Sequence, residues 1–143
     1  GNIMIDEATG RGTCIVDLDT VQPGLVHYDI GDATRSVCNP AGEDAPELGS
    51  VIFDLDLFTM FYRGYQAHAR DFLSPADHRH LFDCIHLIPL ELGLRFLADH
   101  LAGDVYFKVR YPGHNLRRAL VQFKLAESIE AREPAIRKVL GEP

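Results

Sequence analysis

The chain has 143 residues, enough for about one domain with a real core. Its composition, 46% hydrophobic and 24% charged, is that of an ordinary globular protein. A formal net charge of −7 argues against a nucleic-acid surface, because phosphate backbones demand basic stripes.

No apolar run approaches the ~18 residues needed to cross a bilayer. The basic residues gather late, at Arg110, Arg117, Arg118, Lys124, Arg132, Arg137 and Lys138, but Glu127, Glu130 and Glu133 interleave them. That pattern reads as a solvated helix face. Cys14, Cys38 and Cys84 have no partner at metal-like spacing. Reduced thiols in a cytoplasmic protein are the expectation. The sequence opens on Gly1-Asn2 without an initiating methionine or a signal peptide, so an upstream segment is expected.

In chain order, residues 3–6 and 13–17 are short apolar runs around Glu7-Ala-Thr-Gly-Arg-Gly12, which predicts a β-hairpin. With Thr9-Gly10 as a two-residue loop, Ile3 faces Val16, Met4 faces Ile15, Ile5 faces Cys14 and Asn2 faces Asp17. Opposed side chains in such a pair sit roughly 5 Å apart at Cβ. From Thr20 to Glu47 the chain is rich in Gly, Pro and Asp and reads mostly as loop. Phe58, Phe61, Tyr62 and Tyr65 recur at helical spacing within 51–71. Ser74-Pro-Ala-Asp77 is a helix start, with Ser as N-cap and Pro at the first position. The helix it opens, 75–101, is apolar nearly all round and therefore a buried one, with a kink or break at Pro89. Gly103-Asp104 ends it, a short strand over 105–109 is conceivable, and a last helix spans 114–132. The fold class is α+β, mainly α: one hairpin followed by helices.

The chemistry concentrates in Cys14-Ile-Val-Asp-Leu-Asp-Thr-Val-Gln-Pro-Gly24 and Tyr28-Asp-Ile-Gly-Asp32. An apolar strand here delivers Asp17 and Asp19 to its carboxyl end. Hard oxygen donors suit magnesium, which takes one or two carboxylates plus substrate phosphates. Asn2 opposite Asp17 would bring an amide oxygen to the same point. An Asp at a strand end can also simply cap a turn. His78, His80, His86 and His100 fit no metal-binding spacing, and 78 and 80 fall on different faces of a helix.

Two families share an apolar strand ending in Asp-x-Asp. Asp17-Leu-Asp-Thr-Val21 resembles the DxDx[TV] motif of haloacid-dehalogenase-like phosphatases, and Val51-Ile-Phe-Asp-Leu-Asp56 offers a second likeness. That fold needs several further parallel strands, which the pattern after residue 50 does not supply. The better resemblance is to phosphotransferases of the aminoglycoside-phosphotransferase and choline-kinase type. Gly1-Asn2 looks like the end of their catalytic loop, Val16-Asp17 like their apolar-Asp metal motif, and Gly24 with Tyr28-Asp29-Ile30-Gly31 like the element that follows. Within that family, Asp17–Gly24, Tyr28–Asp32 with Arg35, Gly93-Leu-Arg-Phe-Leu-Ala-Asp99, Gly103–Phe107, Tyr111-Pro-Gly-His-Asn115 and Gln122–Glu127 resemble N-acetylhexosamine 1-kinases.

The resemblance implies a protein-kinase-like C-terminal lobe over residues 1–143, with the hairpin carrying the metal site ahead of a helical bundle. It implies transfer of the ATP γ-phosphoryl group to a sugar hydroxyl. Asn2 and Asp17 would hold Mg2+, with Asp19 a weaker candidate. Arg95 and Tyr106 would contact the sugar, and Asp29 would be structural. Arg95 could instead pair with Glu91 along its helix, and Tyr106 could be core. The base is expected just upstream of Gly1, and the nucleotide-binding lobe outside the chain. A lobe by itself should expose apolar surface, leading to poor solubility or a homodimer. A non-catalytic binding domain on the same scaffold is the alternative.

Overall fold

The structure is a computed structural model that describes residues 2–19, 21–69 and 73–141. Gly1, read as the end of a catalytic loop, and residues 70–71, read as a helix end, lie outside the described residues.

The chain starts with a hairpin of β1 (Ile3–Ile5) and β2 (Gly12–Ile15). Its register differs from the expected one. Ile3 pairs with Ile15, Met4 with Cys14 and Ile5 with Gly12, with a bulge between the last two pairs. The cause is Asp6. Its carboxylate accepts from Thr9 N (2.7 Å) and Thr9 Oγ1 (2.8 Å). The Asp6 backbone N donates to the Arg11 carbonyl at 2.9 Å and its carbonyl accepts from Gly10 N at 2.8 Å. This Asx-stabilised turn closes a loop over 7–10 instead of two residues. The bulge then restores one position, so that Val16 N donates to the Asn2 carbonyl at 2.9 Å. Asn2 therefore faces Val16, and Asp17 lies one residue further on.

Among the described residues six α-helices follow: α1 (Val26–Val37), α2 (Leu55–Ala69), α3 (Pro75–Arg79), α4 (Leu81–Leu101), α5 (His114–Glu130) and α6 (Glu133–Leu140). Helix α1 falls where the sequence reads as loop. Its buried stripe is His27, Ile30, Gly31 and Thr34, at good helical spacing. Three of those four residues are polar or glycine, so hydrophobicity alone does not reveal it. Their side chains find partners within and beyond the helix: Thr34 Oγ1 donates to the Ile30 carbonyl (2.8 Å), and His27 Nε2 meets the Asp77 carbonyl of α3 (2.9 Å).

Ser74 caps α3 as expected. Its hydroxyl accepts from Asp77 N at 3.2 Å, while the Asp77 carboxylate accepts from Ser74 N at 2.8 Å. The helix expected over 75–101 is two helices, and the break lies at His80 rather than at Pro89, through which α4 continues. Asp54, part of the second Asp-x-Asp likeness, caps α2 by accepting from Asp56 N and Leu57 N, both at 2.9 Å. Among the described residues the sheet has two antiparallel strands only. The parallel sheet of a haloacid-dehalogenase fold is absent there, and no strand forms over 105–109.

Helix α4 is the axis of the bundle, with α1 on one side and α5 on the other. Both contacts run through glycine. A Cβ on Gly31 of α1 would stand 2.6 Å from Ile88 Cγ1 and 2.9 Å from the Cys84 carbonyl oxygen. A Cβ on Gly93 of α4 would stand 2.6 Å from the Phe123 ring of α5. The core around these contacts includes Ile30, Phe53, Phe58, Tyr62, Leu81, Ile85, Leu125 and Ile129. The segment between α1 and α2 is pinned to α5. Glu43 accepts from Arg118 and Arg35, Asp44 meets His114 Nε2 at 2.7 Å, and Arg117 donates to the Ala45 and Pro46 carbonyls. Among the described residues no helix is long and apolar enough to cross a membrane.

Close helix contact at two glycines gives a direct expectation. Gly31→Ala and Gly93→Ala should each lower unfolding free energy in urea by about 1–3 kcal/mol through overpacking. Gly64→Ala, in α2 with open space around it, should raise it by about 0.5–1 kcal/mol. Equal effects at all three positions would contradict the tight contacts.

Candidate functional site

The expected metal residues lie at the mouth of the hairpin. Asn2 precedes β1, and Asp17 follows β2 with φ of 61°, one of two non-glycine residues in the left-handed region among those described. Aspartate tolerates that region better than most residues, and single residues held there cluster at functional sites. β2 ends at Ile15, and the left-handed backbone at Asp17 takes its carboxylate out of the strand's up-and-down alternation. Asp19 lies exposed in the turn that follows. The hairpin thus brings Asn2 and Asp17 to the same end of two paired strands, although not directly opposite.

A groove of about 490 Å³ joins this end to α1. Its walls include Asn2, Ile3 and Ile5 from the hairpin and Asp29, Asp32 and Ser36 from the helix. Asp29 sits exposed in the first turn of α1, where a carboxylate is favoured by the helix dipole. It also lines a neighbouring cavity of about 420 Å³ with Val21, Gln22, Gly24 and Tyr28. Among the described residues, no three His, Cys, Asp or Glu side chains gather into a metal site. Two protein oxygen donors, one amide and one carboxylate, still fit magnesium, which leaves most of its positions to water and phosphate oxygens. The hairpin itself carries no buried residue: Ile3, Met4, Ile5, Ile15 and Val16 are all exposed.

The expected acceptor residues come together on α4 and the segment after it. Arg95, Ala98, Asp99, Ala102, Tyr106 and Phe107 line one cavity of about 490 Å³. Arg95 Nε lies 3.7 Å from Glu91 Oε1, so the helical ion pair is present but longer than a hydrogen bond. Tyr106 is 74% exposed, which removes the core alternative for it. The floor is Phe107, packed on Phe96 with ring centres 4.6 Å apart and lying under the Arg95 guanidinium at 5.5 Å.

Sequence patterning did not single out Asp99 or Asn115. Gly103 and Asp104 both have positive φ and fold the chain back over the end of α4. The amides of the next three residues then point at the buried Asp99. Its Oδ1 accepts from Val105 N (3.0 Å) and Tyr106 N (2.8 Å), and its Oδ2 from Phe107 N (2.9 Å) and Asn115 Nδ2 (2.9 Å). With those amides engaged, the segment cannot pair as a strand. Asn115, fully buried, also donates to Asp104 Oδ1 and accepts from Arg118 Nη1. The signal was present in Gly93–Asp99 and Tyr111–Asn115, as short blocks whose polar members fall within otherwise helical or turn sequence.

A model of the phosphotransferase enzyme family (APH) matches residues 1–73, just over half of the 143 residues. The chain belongs to this phosphotransferase family. The match supports the aminoglycoside-phosphotransferase and choline-kinase-like resemblance, and it spans Asn2, Asp17, Asp19 and Asp29. Arg95 and Tyr106 of the phosphotransferase lie beyond it, so the family match does not bear on them.

Burial raises the Asp99 pKa, but the N–H groups of Phe107, Tyr106 and Val105 together outweigh it and hold the carboxylate below its ordinary value. A carboxylate with a depressed folded pKa stabilises above its unfolded value and loses that contribution as pH falls through the folded one. The stability difference between the phosphotransferase and its Asp99→Asn variant should therefore be constant from about pH 7 to 5 and shrink below about pH 4. Urea titrations across that range check this, and a difference independent of pH contradicts it.

Proposed function

We propose that this chain carries the metal and acceptor sites of an ATP-dependent small-molecule kinase that phosphorylates a hydroxyl of an N-acetylhexosamine. The observation that carries the reading is the cavity shared by Arg95 and Tyr106 on the phosphotransferase scaffold. A guanidinium fork can grip hydroxyl or acyl oxygens. The exposed Tyr106 offers a hydroxyl, and with Phe107 an apolar face suited to a sugar ring. Asn2 and Asp17 would hold Mg2+, with Asp19 as a weaker candidate and Asp29 lining the groove beside them.

Bound magnesium would neutralise charge on the ATP phosphates, which with positioning is most of what phosphoryl transfer requires. The protein's own residues bind and orient: the hairpin end presents oxygen donors, and α4 presents acceptor contacts. In this reading the general base would stand just before Gly1, and the nucleotide-covering residues would belong to a separate lobe outside this chain. The exposed apolar side chains of the hairpin support such a partner lobe, since a two-stranded hairpin by itself is marginal in water. A second copy of the chain is the other candidate cover. A cytoplasmic location accords with the free thiols of Cys14, Cys38 and Cys84.

The test uses the protein that contains both lobes, with ATP, Mg2+ and N-acetylglucosamine. Asp17→Ala should abolish phosphoryl transfer. Arg95→Ala should raise the acceptor KM by about ten-fold or more while the ATP KM changes little. Full activity in Asp17→Ala sinks the kinase reading. If the native protein binds the sugar and never phosphorylates it, the scaffold serves a non-catalytic binding role.

A further inference from the structure

We propose that Asp99 is a positioning residue for the acceptor, fixing Tyr106 against Arg95 through the backbone of residues 105–107. This rests on the reading of Arg95 and Tyr106 as acceptor contacts and adds the device that sets their relative geometry.

The carboxylate of Asp99 is buried and its four hydrogen bonds are all to the chain itself. It therefore has no lone pair left to bind a ligand or accept a substrate proton, which excludes it as base or metal ligand. What it does hold is specific. Asp99 lies one helical turn after Arg95, so the two project from the same side of α4. One rigid helix thus carries the guanidinium directly and carries Tyr106 indirectly, through the Asp99 carboxylate. Tyr106 needs such a tether, because its ring is mostly in solvent and meets Phe107 edge-on, at 4.8 Å between centres. Phe107 anchors the next position by its contact with Phe96. Asn115 completes the arrangement from α5 and ties Asp99 to Asp104 at the turn.

Replacing Asp99 by Asn keeps the shape but turns an NH2 toward groups that are all donors. The backbone of 105–107 must then shift or leave a donor unpaired. A shift there moves Tyr106 relative to Arg95 without touching the hairpin.

The experiment is a double-mutant cycle on the two-lobe protein, with N-acetylglucosamine and ATP as substrates. Asp99→Asn should raise the acceptor KM about ten-fold, with the ATP KM within about two-fold of native. In a Tyr106→Ala background the same change should have an effect below about two-fold, because its route is already gone. A merely structural role would lower the thermal midpoint and the active fraction but leave both KM values unchanged. That outcome overturns the proposal, as does an equal effect in both backgrounds. If Asp99→Asn does not yield folded protein, Asp99→Glu decides the same comparison, since it keeps the charge and displaces the oxygens. If Arg95→Ala and Tyr106→Ala themselves leave the acceptor KM unchanged, the acceptor reading fails, and the proposal with it. An effect of those two variants with none from Asp99 overturns the positioning role alone.

Discussion

The close approach of α1 and α5 to α4 is the constraint on which the rest depends. It is possible only because Gly31 and Gly93 present no side chain where Ile88, the Cys84 carbonyl and Phe123 already stand. Interiors pack at crystal-like density, so one added methyl at such a point is transmitted to whole helices. Gly31 lies two residues after Asp29, and Gly93 two before Arg95. The glycines that set the helix spacing therefore also set where the groove residues and the cavity residues stand.

Around that axis the polar groups divide into two kinds. Those at the hairpin mouth, Asn2, Asp17, Asp19 and Asp29, are exposed, with side chains directed to solvent rather than into a hydrogen-bonded network. Those at the end of α4, Asp99, Asn115, Asp104 and Arg118, satisfy one another. Buried polar networks of the second kind rigidify a fold when complete, and this one is complete around Asp99. Exposed oxygen donors of the first kind are what a hydrated cation with phosphates can use. The proposed acceptor contacts, Arg95 and Tyr106, stand between these extremes, on a rigid base with their functional ends in solvent.

Much of this was legible in the sequence, and the misses have physical causes. The hairpin, the Ser74 cap, the helical run of α5 and the order of strand before helix follow from periodicity and turn chemistry. The register did not, because the Asp6 side chain selects a longer loop and a bulge returns one residue. Helix α1 was hidden by a buried stripe of His27, Gly31 and Thr34 that no hydropathy pattern reports. His80 rather than Pro89 interrupts the 75–101 segment, since α4 continues through its proline. The pairing of Arg95 with Tyr106 came from resemblance, and the structure supplies the shared cavity. Asp99 closes one of the blocks that carry the resemblance, but its role could not be read, because a carboxylate on an apolar helix looks the same whether it meets solvent or three backbone amides.

The proposal's central claim is that the hairpin mouth is where metal and nucleotide phosphates would meet this chain. Manganese in place of magnesium, titrated with ATP into isotope-labelled protein that includes the proposed second lobe, tests it most directly, because bound Mn2+ broadens nearby nuclear resonances independently of any turnover. The account predicts broadening centred on Asn2 and Asp17, extending to Asp19, and lost in Asp17→Ala. Broadening centred on Asp54 and Asp56, or none at the hairpin, would contradict it.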